Sequence, residues 1–252
     1  MNSSQVGADG RPGGAAVLEG AAYLKLTYDE QRLPKTAYPQ KLAAYISERI
    51  FKRPGRLLDT GCGRGDFLKA FAALGYDVAG VDISPAAPQF AAPLAVAVAN
   101  LEREAMPYPP ASFDFAFSKS VLEHVRQPVA VLTQIYATLK PGGLAVIMVP
   151  AWETGYRGSF YIDHTHITPF TLPSLEDAMV LAGFEIERGE YFYQLPFLWR
   201  WPVLAPLRWL VAVLPLRYRP MHKVNWPDGF NKLIWFSKEA MLLVVGRRPQ
   251  AN

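Results

Sequence analysis

The stretch RLLDTGCGRGDF, Arg56–Phe67, decides how the chain is read. It begins as a short apolar run ending at Asp59. It continues through Gly61, Gly63 and Gly65, spaced G-x-G-x-G, and enters a helical pattern at Asp66. A strand, a glycine-rich turn and a helix in this order form the first unit of a parallel α/β sheet. Ligands of such sheets sit beyond the carboxyl ends of the strands. Glycines there let the backbone turn tightly and approach a ligand with no Cβ in the way.

Strand and helix signals alternate outward from this point. A helix is expected over Tyr38 to Phe51, with Leu42, Tyr45, Ile46 and Arg49 near one face, stopped by Pro54-Gly55. Strands are expected at Arg56–Asp59, Asp77–Asp82, Leu94–Ala99, Phe113–Phe117, Leu144–Val149, Phe184–Glu190 and Ala240–Gly246. Helices are expected at Asp66–Leu74, over most of Val121–Leu139, and at Ser174–Ala182, with a turn at Pro141-Gly142-Gly143. Residues 1–20 are Gly-, Ser- and Ala-rich and read as a disordered tail. Residues 21–190 and 237–248 read as the ligand-binding domain, and 191–236 as an insertion.

Bulk properties bound the function. The chain has 252 residues, 50% of them hydrophobic, enough for one α/β domain with decorations. A net charge of +4 suits an anionic substrate or membrane surface but is too weak to point to nucleic acid. The single cysteine, Cys62, forms no internal disulfide, which fits a reducing compartment. The opening MNSSQVGADGRPGGAA lacks the features of a signal peptide, and no apolar run reaches the ~20 residues of a spanning helix. A cytoplasmic location, peripheral at most to the inner face of a membrane, is expected.

The glycine spacing also discriminates between ligands. A dinucleotide fingerprint reads G-x-G-x-x-G, and here Asp66 stands where the third of those glycines belongs. An acid at a helix N-terminus repels a pyrophosphate. S-adenosylmethionine (SAM) has no phosphate and carries two cationic groups, so Asp59 and Asp66 suit it. Asp82, seventeen residues beyond Gly65 at the next strand end, can accept hydrogen bonds from both ribose hydroxyls.

Four motifs in order resemble the class I SAM-dependent methyltransferases. They are LLDTGCGRGDF, GVDIS, the run NLEREAMPYPPASFDFAFSKSVLEHV, and LKPGGLAVIMVP. The resemblance covers about Tyr38 to Glu190 plus Ala240 to Gly246. It implies a Rossmann-like α/β fold: a seven-stranded, mostly parallel sheet flanked by helices, with an antiparallel last strand inserted beside the fifth. It implies that Asp59, Gly61, Cys62, Gly63 and Gly65 surround the cofactor, that Asp82 with Ile83 takes the ribose, and that Asn100 and Leu101 lie by the adenine. Asn100 departs from the more usual Asp, although an amide oxygen still accepts from the adenine amine. Ser118 and Lys119 are expected at the methionine part.

The pair Glu123-His124 and the stretch DHTHITPFTLPSLEDAMVLAGFEI resemble a subgroup acting on small molecules, including quinone precursors, sugars and lipid-linked glycans. Methyl transfer is an in-line displacement, aided by a base whose pKa lies near the working pH. His124, Asp163, His164 and His166 are the candidates. In an extended segment His164 and His166 point the same way. The bland alternative is that they only cap the following helix. Asp163, His164 and His166 are suitable metal ligands by type, but spacing this tight argues weakly, and no metal is expected.

The insertion carries five of the six tryptophans. Arg200, Arg208, Arg217, Arg219 and Lys223 are spread among its apolar residues, and its prolines forbid one long helix. Such a mixture suits a membrane surface or lipid-linked acceptor through residues 195–220, a cap over the substrate, or a dimer interface. Tyr23, Tyr28 and Tyr38 are candidates to close over the cofactor. The expected function is O-methylation of a small-molecule, sugar or lipid-linked acceptor. The alternative is a non-catalytic SAM-binding scaffold that docks a partner through the insertion. Nucleic acid is disfavoured as a partner, because the N/D-P-P-Y/F signature of amino-group methylation is missing.

Overall fold

The computed structural model describes residues 35–156, 158–218 and 229–250. The expected tail, Tyr23, Tyr28, Arg219 and Lys223 lie outside them.

Seven strands form one sheet in the order β3-β2-β1-β4-β5-β7-β6. They are β1 (Arg56–Thr60), β2 (Asp77–Asp82), β3 (Ala95–Val98), β4 (Phe113–Lys119), β5 (Leu139–Pro150), β6 (Glu185–Phe192) and β7 (Met241–Arg247). β1 to β5 pair in parallel, and β7 runs antiparallel to both β5 and β6. The central strands are buried on both faces, which is why they read as unbroken apolar runs. Side chains alternate along them. Leu58, Ala116, Ile147, Val149, Leu242 and Val244 join one core. Leu57, Phe115, Phe117, Val146, Met148 and Leu243 join the other.

Helices cover both faces. The first core is closed by α4 (Pro128–Thr138) and α6 (Leu172–Leu181) through Leu132, Ile135, Leu175 and Met179. The second is closed by α1 (Tyr38–Ile46) and α2 (Asp66–Ala72) through Leu42, Ile46, Leu68 and Phe71. Between α2 and α4 in sequence lies the short α3 (Ala87–Ala91), which carried no clear sequence signal. Proline occupies the first turn of α4, where its missing N–H costs nothing.

Local departures from expectation have local causes. The first helix loosens into a π-turn at Ser47–Phe51 and stops at Lys52, with φ 64°. The extra residue per turn rotates the face, so Ile50 and Phe51 are buried and Arg49 is exposed. The helix expected over Val121–Leu139 divides into a 3₁₀ turn (Leu122–His124) and α4. The turn expected at Pro141–Gly143 is absorbed into β5, with a register shift opposite Phe113/Phe115. α6 begins before Ser174, because Thr171 and Ser174 form a reciprocal capping box.

After β5 come α5 (Trp152–Gly155) and a 3₁₀ turn (Phe160–Ile162). Among the described residues, three helices lie between β6 and β7: α7 (Pro196–Arg200), α8 (Ala205–Val213) and α9 (Gly229–Lys238). No helix among the described residues is long and apolar enough to cross a membrane.

Candidate active site

The glycine turn sits at the carboxyl end of β1, between β2 and β4. Gly61, Gly63 and Gly65 all have positive φ, at 73°, 51° and 73°. A Cβ on Gly61 would lie 2.2 Å from Val121 Cγ2. A Cβ on Gly65 would lie 2.7 Å from Ala91 Cβ, so this glycine seats the turn against α3. The Gly63 N–H donates to Asp82 Oδ2 at 2.8 Å, and the Ser84 N–H donates to Asp82 Oδ1 at 2.9 Å. The expected adjacency of Asp82 and the glycine turn is therefore direct.

Asp59 is buried beside them, and its Oδ2 has no hydrogen-bond partner among the described residues. Burial, with the Asp82 charge adding to it, pushes its carboxyl up to about 8. An orphaned buried carboxylate is costly, and a cationic ligand relieves that cost. Burial also pushes the Cys62 thiol upward, so the thiolate is suppressed.

A cavity of about 890 Å³ opens over this turn. Asp59, Gly61, Cys62 and Lys119 line its cofactor side. Tyr38 also lines it, with its hydroxyl donating to Gln194 Oε1 at 2.8 Å. The Lys119 ammonium lies 5.8 Å from the centre of the Tyr38 ring and 5.9 Å from that of Phe67. Burial holds it down to about 8, opposed by the Glu123 charge.

A cluster of titratable groups, Glu123, His124, Asp163 and His166, also lines the cavity. The Ile167 and Thr168 N–H groups both donate to the Glu123 carbonyl, at 2.8 and 3.0 Å. Those bonds tie the Asp163–Thr168 segment to the 3₁₀ turn that carries His124. The rings of His124 and His166 consequently meet edge to face at 4.7 Å. His166 Nδ1 donates to the Phe160 carbonyl at 2.6 Å. Thr165 Oγ1 donates to Asp163 Oδ1 at 2.6 Å and, having given up its proton there, accepts from His124 Nδ1 at 2.8 Å. Both rings therefore carry their proton on Nδ1, and Nε2 is the basic nitrogen of each. Burial, then the neighbouring His166, bring His124 down to about 4. Burial lowers His166 as well, against the pull of Asp163. Burial raises Glu123, against the pull of the Lys119 ammonium.

Several sequence expectations change here. The Asp163–His166 segment turns instead of extending, so His164 is exposed while His166 lines the cavity. Ser118 points into the sheet and donates to the Thr60 carbonyl at 3.2 Å, because neighbouring strand residues face opposite ways. Asp66 is paired with the buried Arg64 at 2.6 Å, so its charge is already compensated. Asp82, Ile83, Asn100 and Leu101 lie beyond the lining of the cavity, and Asn100 Oδ1 accepts from the Glu102 N–H in an Asx turn. Arg64 and Glu123 were missed as site residues, and no sequence signal marked Arg64 as buried. Among the described residues, Glu123, His124 and His166 present donor atoms within 4.8 Å of one another, a set that can hold a divalent ion. Asp163 and His164, which suit a metal by residue type, are outside that set.

The insertion divides between two roles. Leu195, Pro196 and Phe197 cap the cavity together with Lys232 and Phe236 of α9. Trp199 packs on the core and donates through Nε1 to the Tyr193 carbonyl at 2.8 Å.

Residues 28–188 match the model of a methyltransferase domain family. The chain belongs to this family. SAM is thus its cofactor, and the orphaned Asp59 carboxylate and the Cβ-free cradle at Gly61 fit it. The methyltransferase is 38% identical over 97 residues to a ubiquinone biosynthesis O-methyltransferase of Cereibacter sphaeroides, a match covering 36% of this chain and 39% of that one. It is 36% identical over 106 residues to an uncharacterized methyltransferase of Mycolicibacterium vanbaalenii, covering 40% and 42%. These matches span about two fifths of the relatives' length. The fold is shared with the methyltransferase solved in complex with the Haloferax volcanii Trm112 activator, with TM-score 0.66 and 19% identity over 92% of this chain and 98% of that one. It is also shared with a SAM-dependent methyltransferase of Archaeoglobus fulgidus, with TM-score 0.58 and 20% identity over 87% and 97%.

Proposed function

We propose that the protein transfers the methyl group of SAM to a hydroxyl oxygen of a small-molecule, sugar or lipid-linked acceptor. His166 takes the acceptor proton through Nε2, and His124 supports it. When bound, SAM supplies an electrophilic methyl group. Asp59, Gly61, Cys62 and Lys119 would hold it from the cavity side, and Asp82, at the end of β2, from beside the glycine turn. The observation that carries the reading is the pair of Nδ1-protonated imidazoles on the acceptor side of the cofactor cavity. His124, held near 4, is the weaker base. His166 is the better matched to neutral pH. Asp163 orients His124 through Thr165, and the Phe160 carbonyl orients His166. His164, exposed, takes no part. If the acceptor is lipid-linked, residues 195–220 meet the membrane that holds it.

The test is turnover of labelled SAM with fractions of glycolipids, sugars and quinone precursors. Replacing His166 with Ala is expected to lower turnover at least about a hundredfold, the usual worth of a positioned base, with SAM binding kept. Undiminished turnover in both H124A and H166A would reject the histidine base. An absence of methyl transfer to every fraction would favour the scaffold reading.

A further inference from the structure

α8 is built the wrong way round for a helix of a globular protein. Such helices turn apolar residues inward and charges outward. The one charged side chain of α8, Arg208, turns inward, stacks over the Tyr193 ring at 3.8 Å and donates to the Ser237 carbonyl at 2.9 Å. Leu207, Leu210 and Val213 are exposed on the outer side, and Trp209 is 61% exposed. Val203, in the turn just before the helix, is 80% exposed, and no residue of α7, that turn or α8 is buried. A contiguous apolar face of this kind marks an interaction site.

The charge around the face selects its partner. From Tyr191 to Pro227 the chain has five Arg and Lys residues and no Asp or Glu. Arg200 and Arg217 are exposed at either end of α8, flanking the apolar face. A short helix with an apolar outer face, an indole, and cations on its flanks has the make-up of an element that lies in a membrane interface. α7 joins that element to the cavity, since Pro196 and Phe197 line it.

We infer that α8 docks the enzyme on an anionic bilayer surface, with its outer apolar face in the headgroup region and Arg200 and Arg217 on the lipid phosphates. This rests on the proposed lipid-linked acceptor for its purpose but not for its test. Docking there brings the cavity, through α7, to the plane from which a membrane-resident acceptor enters.

The experiment is flotation of the full chain with vesicles of phosphatidylcholine alone and with added phosphatidylglycerol. SAM binding is measured in parallel by calorimetry. The protein is expected to float with the anionic vesicles and to be released by high salt. The exposed-face variant L207S/L210S/V213S is expected to bind at least tenfold more weakly, and R200A and R217A roughly fivefold more weakly each. All three are expected to bind SAM as the parent does. Failure of the parent to float, or flotation unchanged in the serine variant, overturns the inference. So does a dimer in solution that the serine variant dissociates, because the face is then covered by a second copy. Loss of SAM binding by the parent is a separate result, which counts against the methyltransferase reading and leaves docking to be judged by flotation.

Discussion

His124 and His166 meet edge to face at 4.7 Å, inside the wall of the cofactor cavity. Two imidazoles this close, both half-buried, cannot both be cationic without a large electrostatic cost. Burial and then the neighbouring His166 lower the readiness of His124 to take a proton. Side-chain NMR is expected to show His124 titrating near 4, well below the ordinary 6.5. In H166N the His124 titration is expected to move upward, because a positive neighbour is gone. A His124 titration unchanged by that replacement would mean that the pair is not electrostatically coupled. The sign for stability follows by linkage. Between about 4 and 6.5 the unfolded chain binds the His124 proton and the folded chain does not, so this residue makes stability rise with pH across that window. With a histidine base, turnover is expected to survive chelation by EDTA. Loss of turnover restored by a divalent ion would instead assign Glu123, His124 and His166 to a metal.

Thr165 positions His124 without facing the reacting atoms. Its hydroxyl is committed as a donor to Asp163, and this fixes the tautomer of His124. Removing the hydroxyl in T165V frees the His124 ring to adopt either tautomer and takes one hydrogen bond from Asp163 Oδ1, which keeps the bond from the Thr165 N–H. Turnover is expected to fall about tenfold, near the worth of one neutral hydrogen bond. The KM for SAM is expected to stay the same. T165S restores the hydroxyl and is expected to restore the rate. An equal loss in both variants would make Thr165 a packing residue.

The parts of the fold legible in sequence are those set by burial and turn chemistry. β1, β2 and β7 read as strands because both their faces are covered, and Gly61 to Gly65 punctuate the chain where its backbone leaves the ordinary φ range. Asp82 was legible because strand ends in parallel sheets are equivalent places. What failed depended on where a segment goes in space. The parity of His164 and His166 assumed an extended chain, but hydrogen bonds from residues 167 and 168 to Glu123 fold it into a turn. Asp66 looked available to a cation until Arg64, two residues away, was seen to reach it. Composition marked the insertion as unusual. It could not say that Trp199 faces the core and Trp209 the solvent.

Asp59 makes cofactor affinity depend on pH. Its carboxyl, held near 8, is mostly protonated in the apoprotein at pH 7. A bound cation favours the ionised form, so uptake of SAM is expected to release a proton at pH 7. Affinity is expected to rise as pH increases from 6 to 8. Calorimetry in two buffers of different ionisation enthalpy measures that proton directly. In D59N the proton release is expected to vanish and affinity to drop. The apoprotein's stability carries the opposite trend to that from His124. A carboxyl raised in the folded state contributes least above its folded pKa, so Asp59 makes stability fall as pH rises from about 4 through about 8. Identical proton release in D59N would place the titrating group elsewhere.

Gly61 cannot be replaced without two separable penalties. Alanine there must hold φ near 73°, in the left-handed region, at about 1–2 kcal/mol. Its Cβ must also displace the Val121 methyl now 2.2 Å from that point, and overpacking of this kind costs about 1–3 kcal/mol. G61A is therefore expected to be destabilised by about 2–5 kcal/mol in chemical denaturation, and to lose SAM binding with the shape of the turn. Trimming the neighbour separates the penalties. In the G61A/V121A double variant the steric part is relieved and the backbone part remains, so the two changes should be less than additive. Strict additivity would show that Val121 does not bound the turn. The cradle would then have to be explained by backbone conformation alone.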